Sequence, residues 1–204
     1  MSVAFFLTLI CVGSFVSVST VSPAWAVAAW TQLGADIDGE AASDYSGTSV
    51  SFSSDGSRVA IGAPRNDGAG SNAGQVRVYD WTGTAWAQVG SDINGENEYS
   101  NLGSSVSLSA DGSRVAIGAK QNNGSGAYSG HVRVYDLVTG VWTQVGADID
   151  GEAASDYSGT SVSLSSDGSR VAIGAPQNDG AGANAGHVRV YDLVTGVWTQ
   201  VGAD

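Results

Sequence analysis

The sequence predicts an all-β fold: a β-propeller-like array of four-stranded antiparallel blades, made of three 56-residue repeats and incomplete as a closed propeller. Three observations predict it. Trp30, Trp86, Trp142 and Trp198 stand 56 residues apart, and residues 30–85, 86–141 and 142–197 align as copies around them. Within each copy, short stretches alternate apolar and polar residues with the two-residue period of a half-buried strand. Val, Ser, Thr and 29 glycines dominate while helix formers are scarce, a composition of short strands and turns. With 42% hydrophobic residues, the chain has enough apolar surface to form a core.

Taken in order, the chain opens on a different composition. Val3 to Val21 is almost wholly apolar, and Pro23-Ala24-Trp25-Ala26 ends in an Ala-x-Ala pattern, so residues 1–26 read as a secretory signal peptide cleaved after Ala26. The segment lacks Lys and Arg, and its length also suits an uncleaved N-terminal anchor. Either reading exports the repeats, so the mature domain is expected to be secreted or at the cell surface, with no insertion of that domain into a membrane. Cys11, the single cysteine, lies in this segment, which leaves the mature domain no disulfide and no thiolate metal site.

Residues 27–48 form a lead-in that carries an orphan outer-strand motif at 30–34, and blades are expected at 49–90, 105–146 and 161–202. The third repeat shows the logic of each blade. Ser161-Val162-Ser163-Leu164-Ser165 alternates, and Asp167-Gly168 is a hairpin signal for a type I′ turn. Arg170-Val171-Ala172-Ile173-Gly174-Ala175 is the returning strand, followed by a loop too rich in glycine for regular structure. His187-Val188-Arg189-Val190-Tyr191 and Val197-Trp198-Thr199-Gln200-Val201 are the third and fourth strands, joined by a turn at Thr195-Gly196. Because the chain opens on a fourth-strand motif and three blades are fewer than propellers contain, it reads as the front part of a longer protein or as a member of an assembly that closes by association.

The run Gly47-Thr48-Ser49-Val50, Asp55-Gly56, Val59-Ala60-Ile61-Gly62-Ala63-Pro64 and Gly74-Gln75-Val76-Arg77-Val78-Tyr79 resembles an FG-GAP repeat, the unit of the integrin α-subunit propeller and of secreted microbial proteins. The resemblance covers all three repeats. Gly174-Ala175-Pro176 keeps the Gly-Ala-Pro element, whereas Gly118-Ala119-Lys120 departs from it, and Ser46, Leu102 and Ser158 replace the Phe of the family name. It implies a propeller used for cell adhesion or binding. The family's acidic calcium loop between the first two strands is reduced here to Ser54-Asp55-Gly56-Ser57 and its counterparts, and one carboxylate cannot supply the six to eight oxygens that calcium takes.

Net charge narrows the partners. Eight basic residues against twenty acidic ones give −12, which repels phosphate backbones, so nucleic acid is not an expected partner. The densest acids lie in Asp-Ile-Asp-Gly-Glu, with Asp36, Asp38 and Glu40 in the first copy and Asp148, Asp150 and Glu152 in the third; the second has Asp92, Asn94 and Glu96. These could bind calcium weakly, but no recognised ligand spacing is complete, and the favoured reading makes Ile37, Ile93 and Ile149 anchors with solvated acids beside them. No cofactor and no metal ligand is therefore expected. The tryptophans read as packing between blades, and His131 and His187, which correspond to Gln75, as strand-edge polar residues.

Display loops between the second and third strands are the expected contact surface. The candidate binding residues there are Arg65, Asn66 and Asp67 in the first repeat, Lys120, Gln121, Asn122 and Tyr128 in the second, and Gln177, Asn178 and Asp179 in the third. Repeats one and three are nearly identical, so asymmetry is confined to the second, and no nucleophile–base pair stands out. The expected function is a non-catalytic exported scaffold that binds an extracellular protein or glycan. The alternatives are the scaffold part of a larger extracellular enzyme whose catalytic residues lie beyond residue 204, or a purely structural cell-envelope array.

Overall fold

Each repeat becomes one antiparallel meander because its Val- and Ile-rich stretches are short, alternate in polarity and are separated by glycine turns. The computed structural model describes residues 30–203, so the expected leader at 1–26 lies outside the described residues. The first sheet runs β1 (Ser49–Phe52), β2 (Arg58–Ala63), β3 (Gln75–Trp81) and β4 (Trp86–Gln88), each paired with the next. A two-residue β5 (Ile93–Asn94) adds to the free half of β3, pairing Ile93 with Val76 and Asn94 with Gln75. The second sheet repeats this with β6 (Leu102–Leu108), β7 (Arg114–Ala119), β8 (His131–Val138), β9 (Val141–Gln144) and β10 (Ile149–Asp150). The third has β11 (Ser161–Leu164), β12 (Arg170–Ala175), β13 (His187–Val194) and β14 (Val197–Gln200). All strand pairings are antiparallel, the described residues contain no helix, and the arrangement is all-β and propeller-like.

The split outer strand was not expected. Val89 N–H still bonds Val78 O at 2.8 Å, the chain then leaves the sheet at left-handed Gly90, and it returns as β5. A side chain at Gly90 would lie 2.8 Å from the indole of Trp142, so this excursion is shaped by the next blade. In the second and third copies the central Ile of the acidic motif is thus a strand residue, and Ile93 and Ile149 are both buried, whereas Ile37 carries no strand and is half-buried.

Neighbouring sheets cover one another. One face of the first sheet gives Ala60, Val76, Val78 and Ile93 to a cluster completed by Val106, Leu108, Val115, Ile117 and Tyr135 of the second. Ala116, Val132, Val134 and Ile149 of the second sheet meet Val171, Ile173 and Tyr191 of the third in the same way, with Trp198 packed against them. Trp142 Nε1 donates to Val89 O and Trp198 Nε1 to Val145 O, both at 2.9 Å, which locks each indole onto the preceding blade. The Gly of the Gly-Ala-Pro element is needed where blades approach: a Cβ on Gly62 would sit 2.2 Å from Gly103 O, and one on Gly118 would sit 2.0 Å from Gly159 O. Ser49 and Ser105 hydroxyls donate to those two carbonyls at 2.8 Å. Val76 and Val132, each covered by a following blade, are 0% exposed, and Val188, with none following it among the described residues, is 67% exposed.

Two local expectations are corrected. Residues 30–34, expected as an outer strand, carry no strand. The Asp-Gly turns are not type I′: Gly56, Gly112 and Gly168 are left-handed but the aspartates are not, and each Gly N–H bonds the Ser carbonyl three residues back at 2.9 Å. The turn is a four-residue connection built on a type I turn. The aspartate braces it from the side. Asp55 accepts from Ser53 Oγ at 2.7 Å and from Ser57 N–H at 2.9 Å, and these bonds, the Ser53 hydroxyl first, hold its carboxyl at about 2. Asp167 is held at about 2 by Ser165 and Ser169, and Asp111 is lowered in the same way.

Two measurements check this account. Val132→Ala should cost about 2 kcal/mol in urea unfolding, since it empties a closed contact between blades, whereas Val188→Ala at the equivalent open position should stay within about 0.5 kcal/mol. The lowered carboxyls contribute stability that is present above the ordinary value of 3.8 and lost as pH falls through about 2. Replacing Asp55, Asp111 and Asp167 together by Asn should therefore flatten the acid side of a stability-versus-pH curve between those limits, and an unchanged slope would show that the turns do not supply it.

Candidate functional site

The loops between the second and third strand of each blade owe their shape to one asparagine. Asn66, Asn122 and Asn178 are buried, and each side-chain oxygen accepts the N–H of the glycine two residues on, at 2.8 Å. Asn66 Nδ2 also donates to Asp44 at 2.8 Å, and Asn178 Nδ2 to Asp156 at 3.0 Å. Asp67 and Asp179 close the loops by accepting from Asn72 N–H and Asn184 N–H at 2.6 Å. Five of the ten expected contact residues are thus part of the loop frame, and three of them face inward. Gln177 is exposed on the third loop.

The remaining residues separate by junction. Left-handed residues recur at one position in each loop (Asn72, Tyr128, Asn184) and at one before each blade (Tyr45, Asn101, Tyr157). Between the second and third blades, the Tyr128 and Tyr157 rings stack at 5.8 Å and 2°. Between the first and second, Asn72 and Asn101 take these places on the same backbone, with Asn101 N–H to Asn72 O at 3.1 Å matching Tyr157 N–H to Tyr128 O at 3.1 Å. Small side chains replace a stacked pair of rings, and a cleft of about 340 Å³ opens there. Pro64 and Arg65 line it from the first blade, and Tyr99, Lys120 and Gln121 from the second, beside Asn72 and Asn101. Tyr99 is 55% exposed and left-handed, a conformation that disfavours a bulky side chain.

Charge singles out the same place. Of the eight basic residues, Arg58, Arg77, Arg114, Arg133, Arg170 and Arg189 form ion pairs with carboxylates. Arg65 and Lys120 form none among the described residues, and both line the cleft. Arg65 lies over the Tyr45 ring, 4.5 Å from its centroid. Sequence reasoning named Arg65, Lys120 and Gln121 but missed Asn72, Tyr99 and Asn101 as their neighbours. The signal was available: at the two left-handed positions the second repeat exchanges Tyr and Asn relative to the other two.

No family model and no curated protein matches the chain. Solved structures resemble the chain. A candidate 6-phosphogluconolactonase from Bacteroides uniformis gives a TM-score of 0.52 at 13% identity, covering 76% of this chain and 39% of that one. Hydrazine synthase from Kuenenia stuttgartiensis gives 0.46 at 16% identity, covering 74% and 35%. The matched region is well under half of either neighbour, and the first likeness concerns the fold alone.

The acidic motif makes a second cluster. Asp148 and Asp150 converge on His131, with His131 Nδ1 at 3.4 Å from Asp148 and 3.9 Å from Asp150. Glu152 does not join them, because it pairs with Arg189 of the next blade at 3.4 Å. Asp36, Asp38 and Glu40 do not converge either; Glu40 faces Arg77 at 3.8 Å and accepts from Gln75 at 3.1 Å. Nor are the acids simply solvated. Asp148 accepts from Arg133 Nε at 3.0 Å and Nη2 at 3.1 Å, and from Gln144 at 2.7 Å. Burial works to raise its carboxyl, but the bonds from Arg133 and Gln144 outweigh burial and hold it below the ordinary value. Three ligand groups, one already clamped by a guanidinium, fit poorly with the six to eight oxygens of calcium. The cluster reads as an ion-pair network within the second sheet, tying β10 to β8.

His131 is not at a strand edge. It pairs with Ala119 on one side and Asp150 on the other, and its side chain is buried. Burial pushes its pKa below the usual 6.5 despite Asp148 and Asp150. A histidine with a lowered folded value contributes stability that is present above 6.5 and lost as pH falls below it. His131→Gln, which installs the residue found at Gln75, should remove that part of the pH dependence in urea titrations between pH 7 and pH 5; an identical profile would show that His131 protonates freely in the fold.

Proposed function

We propose that this protein is an exported, non-catalytic repeat scaffold of the FG-GAP kind that binds an extracellular protein or glycan through the loops on one face of its blades. One observation carries the reading. The two cations left out of the ion-pair network, Arg65 and Lys120, meet in one concavity, and it lies where the second repeat departs from the other two. Neither is tied into an ion pair among the described residues, and polar groups converging in a cleft are what a binding site needs.

Further features support the reading without deciding it. The apolar leader ending in Ala24-Trp25-Ala26 supports export, and the threefold FG-GAP-like motif supports an adhesive or binding role. For catalysis, both histidines have carboxylate neighbours, but His131 is buried with its Asp148 held by Arg133, and His187 faces a Glu152 that Arg189 holds, arrangements suited to fixing strands rather than moving protons.

The test is retention of the 204-residue chain on arrays of extracellular-matrix proteins and glycans, beside the variant Asn72→Tyr with Asn101→Tyr. That variant rebuilds the stacked tyrosines of the other junction and should fold, since Tyr128 and Tyr157 hold the same backbone conformation. The expected result is a ligand retained by the parent and weakened by about tenfold or more in the variant. Undiminished retention would move the contact elsewhere on the molecule, and silence across both arrays would end the binding reading.

A further inference from the structure

We infer that the cleft between the first and second blades recognises the carboxylate of an acidic sugar residue; the inference rests on the binding reading above and specifies its ligand. The cleft holds an excess of hydrogen-bond donors. Arg65 lines it from the first loop, with its guanidinium over the Tyr45 ring, and Lys120 from the second, and neither is neutralised by a protein carboxylate among the described residues. Asn101 Nδ2 donates to Gln121 Oε1, which uses the acceptor end of the glutamine and leaves its Nε2 hydrogens for a ligand. A guanidinium and an ammonium lining one cleft are suited to a carboxylate, and charge-assisted bonds of this type are the strong ones.

The rest of the lining suits a sugar ring. The Asn72 and Asn101 amides offer both donors and acceptors to hydroxyls, and the exposed Tyr99 ring gives the less polar face of a sugar something to lie against. About 340 Å³ falls at the lower end of the roughly 300–1,000 Å³ of small-molecule sites, room for a terminal unit rather than a polymer. The surrounding charge sets a further limit. A chain at −12 repels polyanions at long range, a repulsion screened beyond a Debye length of about 8 Å, while a single carboxylate in the cleft meets the two cations that line it. The ligand is thus singly charged at the point of contact.

The repeats supply their own controls. Position 120 is Pro in the other two copies (Pro64, Pro176), and position 65 is Gln in the other two (Gln121, Gln177). Lys120→Pro and Arg65→Gln therefore remove each cation by installing a residue that this backbone already accepts. Calorimetric titration of the full chain with galacturonate, its methyl ester and inorganic phosphate decides the matter. Expected are saturable binding of the acid, at least about tenfold weaker binding of the ester, about tenfold weakening by either single variant, and loss in Asn72→Tyr with Asn101→Tyr. Equal binding of acid and ester, binding of phosphate with galacturonate silent, or no binding of any of the three overturns the carboxylate inference. In each of those cases a ligand retained on the arrays, and lost in the tyrosine variant, would leave the binding function standing, so the two failures are told apart.

Discussion

Everything in this structure depends on one sheet hiding the apolar face of the next. No blade can do this alone, because both faces of each sheet carry apolar residues and only one can turn inward within a four-stranded meander. The two faces differ in kind. One presents Val, Leu, Ile and Tyr, as at Val106, Leu108, Ile117 and Tyr135; the other presents smaller groups, as at Ala60, Val76 and Val78. Large side chains of one blade sink into the shallower surface of its predecessor. The backbones then come close enough that Gly62 and Gly118 cannot carry a Cβ. The strict 56-residue period follows from this, since a shift of one residue would turn the wrong face of a strand toward its neighbour.

Polar groups reinforce the same contact rather than competing with it. Arg58 and Arg114 bind Asp80 and Asp136 of their own sheets through Nε and Nη2, and spend Nη1 on Gly112 O and Gly168 O of the following blade, at 2.9 and 2.8 Å. Arg77 and Arg189 reach back to Asp38 O and Asp150 O, both at 2.7 Å. One arginine on the second strand looks forward and another on the third looks back, so the junction of the second and third blades is stitched at two places, by Arg114 and Arg189. Exposed ion pairs add little stability singly, but here they satisfy carbonyls at the turns between blades that would otherwise face a packed neighbour. Arg170, whose side chain is 55% exposed against 17% for Arg58 and Arg114, shows the same residue with no following blade among the described residues.

Much of this was legible in the sequence because it is local or periodic. Strand alternation, the 56-residue register and the indoles set at equal spacing fix which elements form and which neighbours pack. What escaped was non-local. The Asp-Gly pair suggested a type I′ turn, yet Ser53 and Ser57 bind the Asp55 side chain and stabilise a longer connection. Asn66 looked like a loop-tip residue because it stands among glycines and Asp67, but its amide is pulled inward by Asp44, 22 residues earlier in the chain. The split outer strand depends on the next blade's Trp142, which no window around Gly90 contains. The cleft was legible only in part: Lys120 stood out as a departure from Gly-Ala-Pro, whereas Asn72 and Asn101 look ordinary until the junction brings them together.

A scaffold repeated this faithfully limits where specificity can arise. Strand residues are committed to inter-blade packing, and the acidic motif is committed to arginines, as Glu96 is to Arg133 and Glu152 to Arg189. Freedom is left at the loop face, where a substitution changes the surface without disturbing the register. The second repeat uses that freedom at three linked places: Tyr gives way to Asn at 101, Asn to Tyr at 128, and Pro to Lys at 120. The first change opens the junction on one side of the second blade. The second helps close the junction on the other side, through the Tyr128–Tyr157 stack. The third places a cation in the opening, opposite Arg65. Drift at scattered sites would have no reason to open one junction, seal the next and leave two unneutralised cations facing the same space; a ligand that occupies that space gives all three changes a common cause.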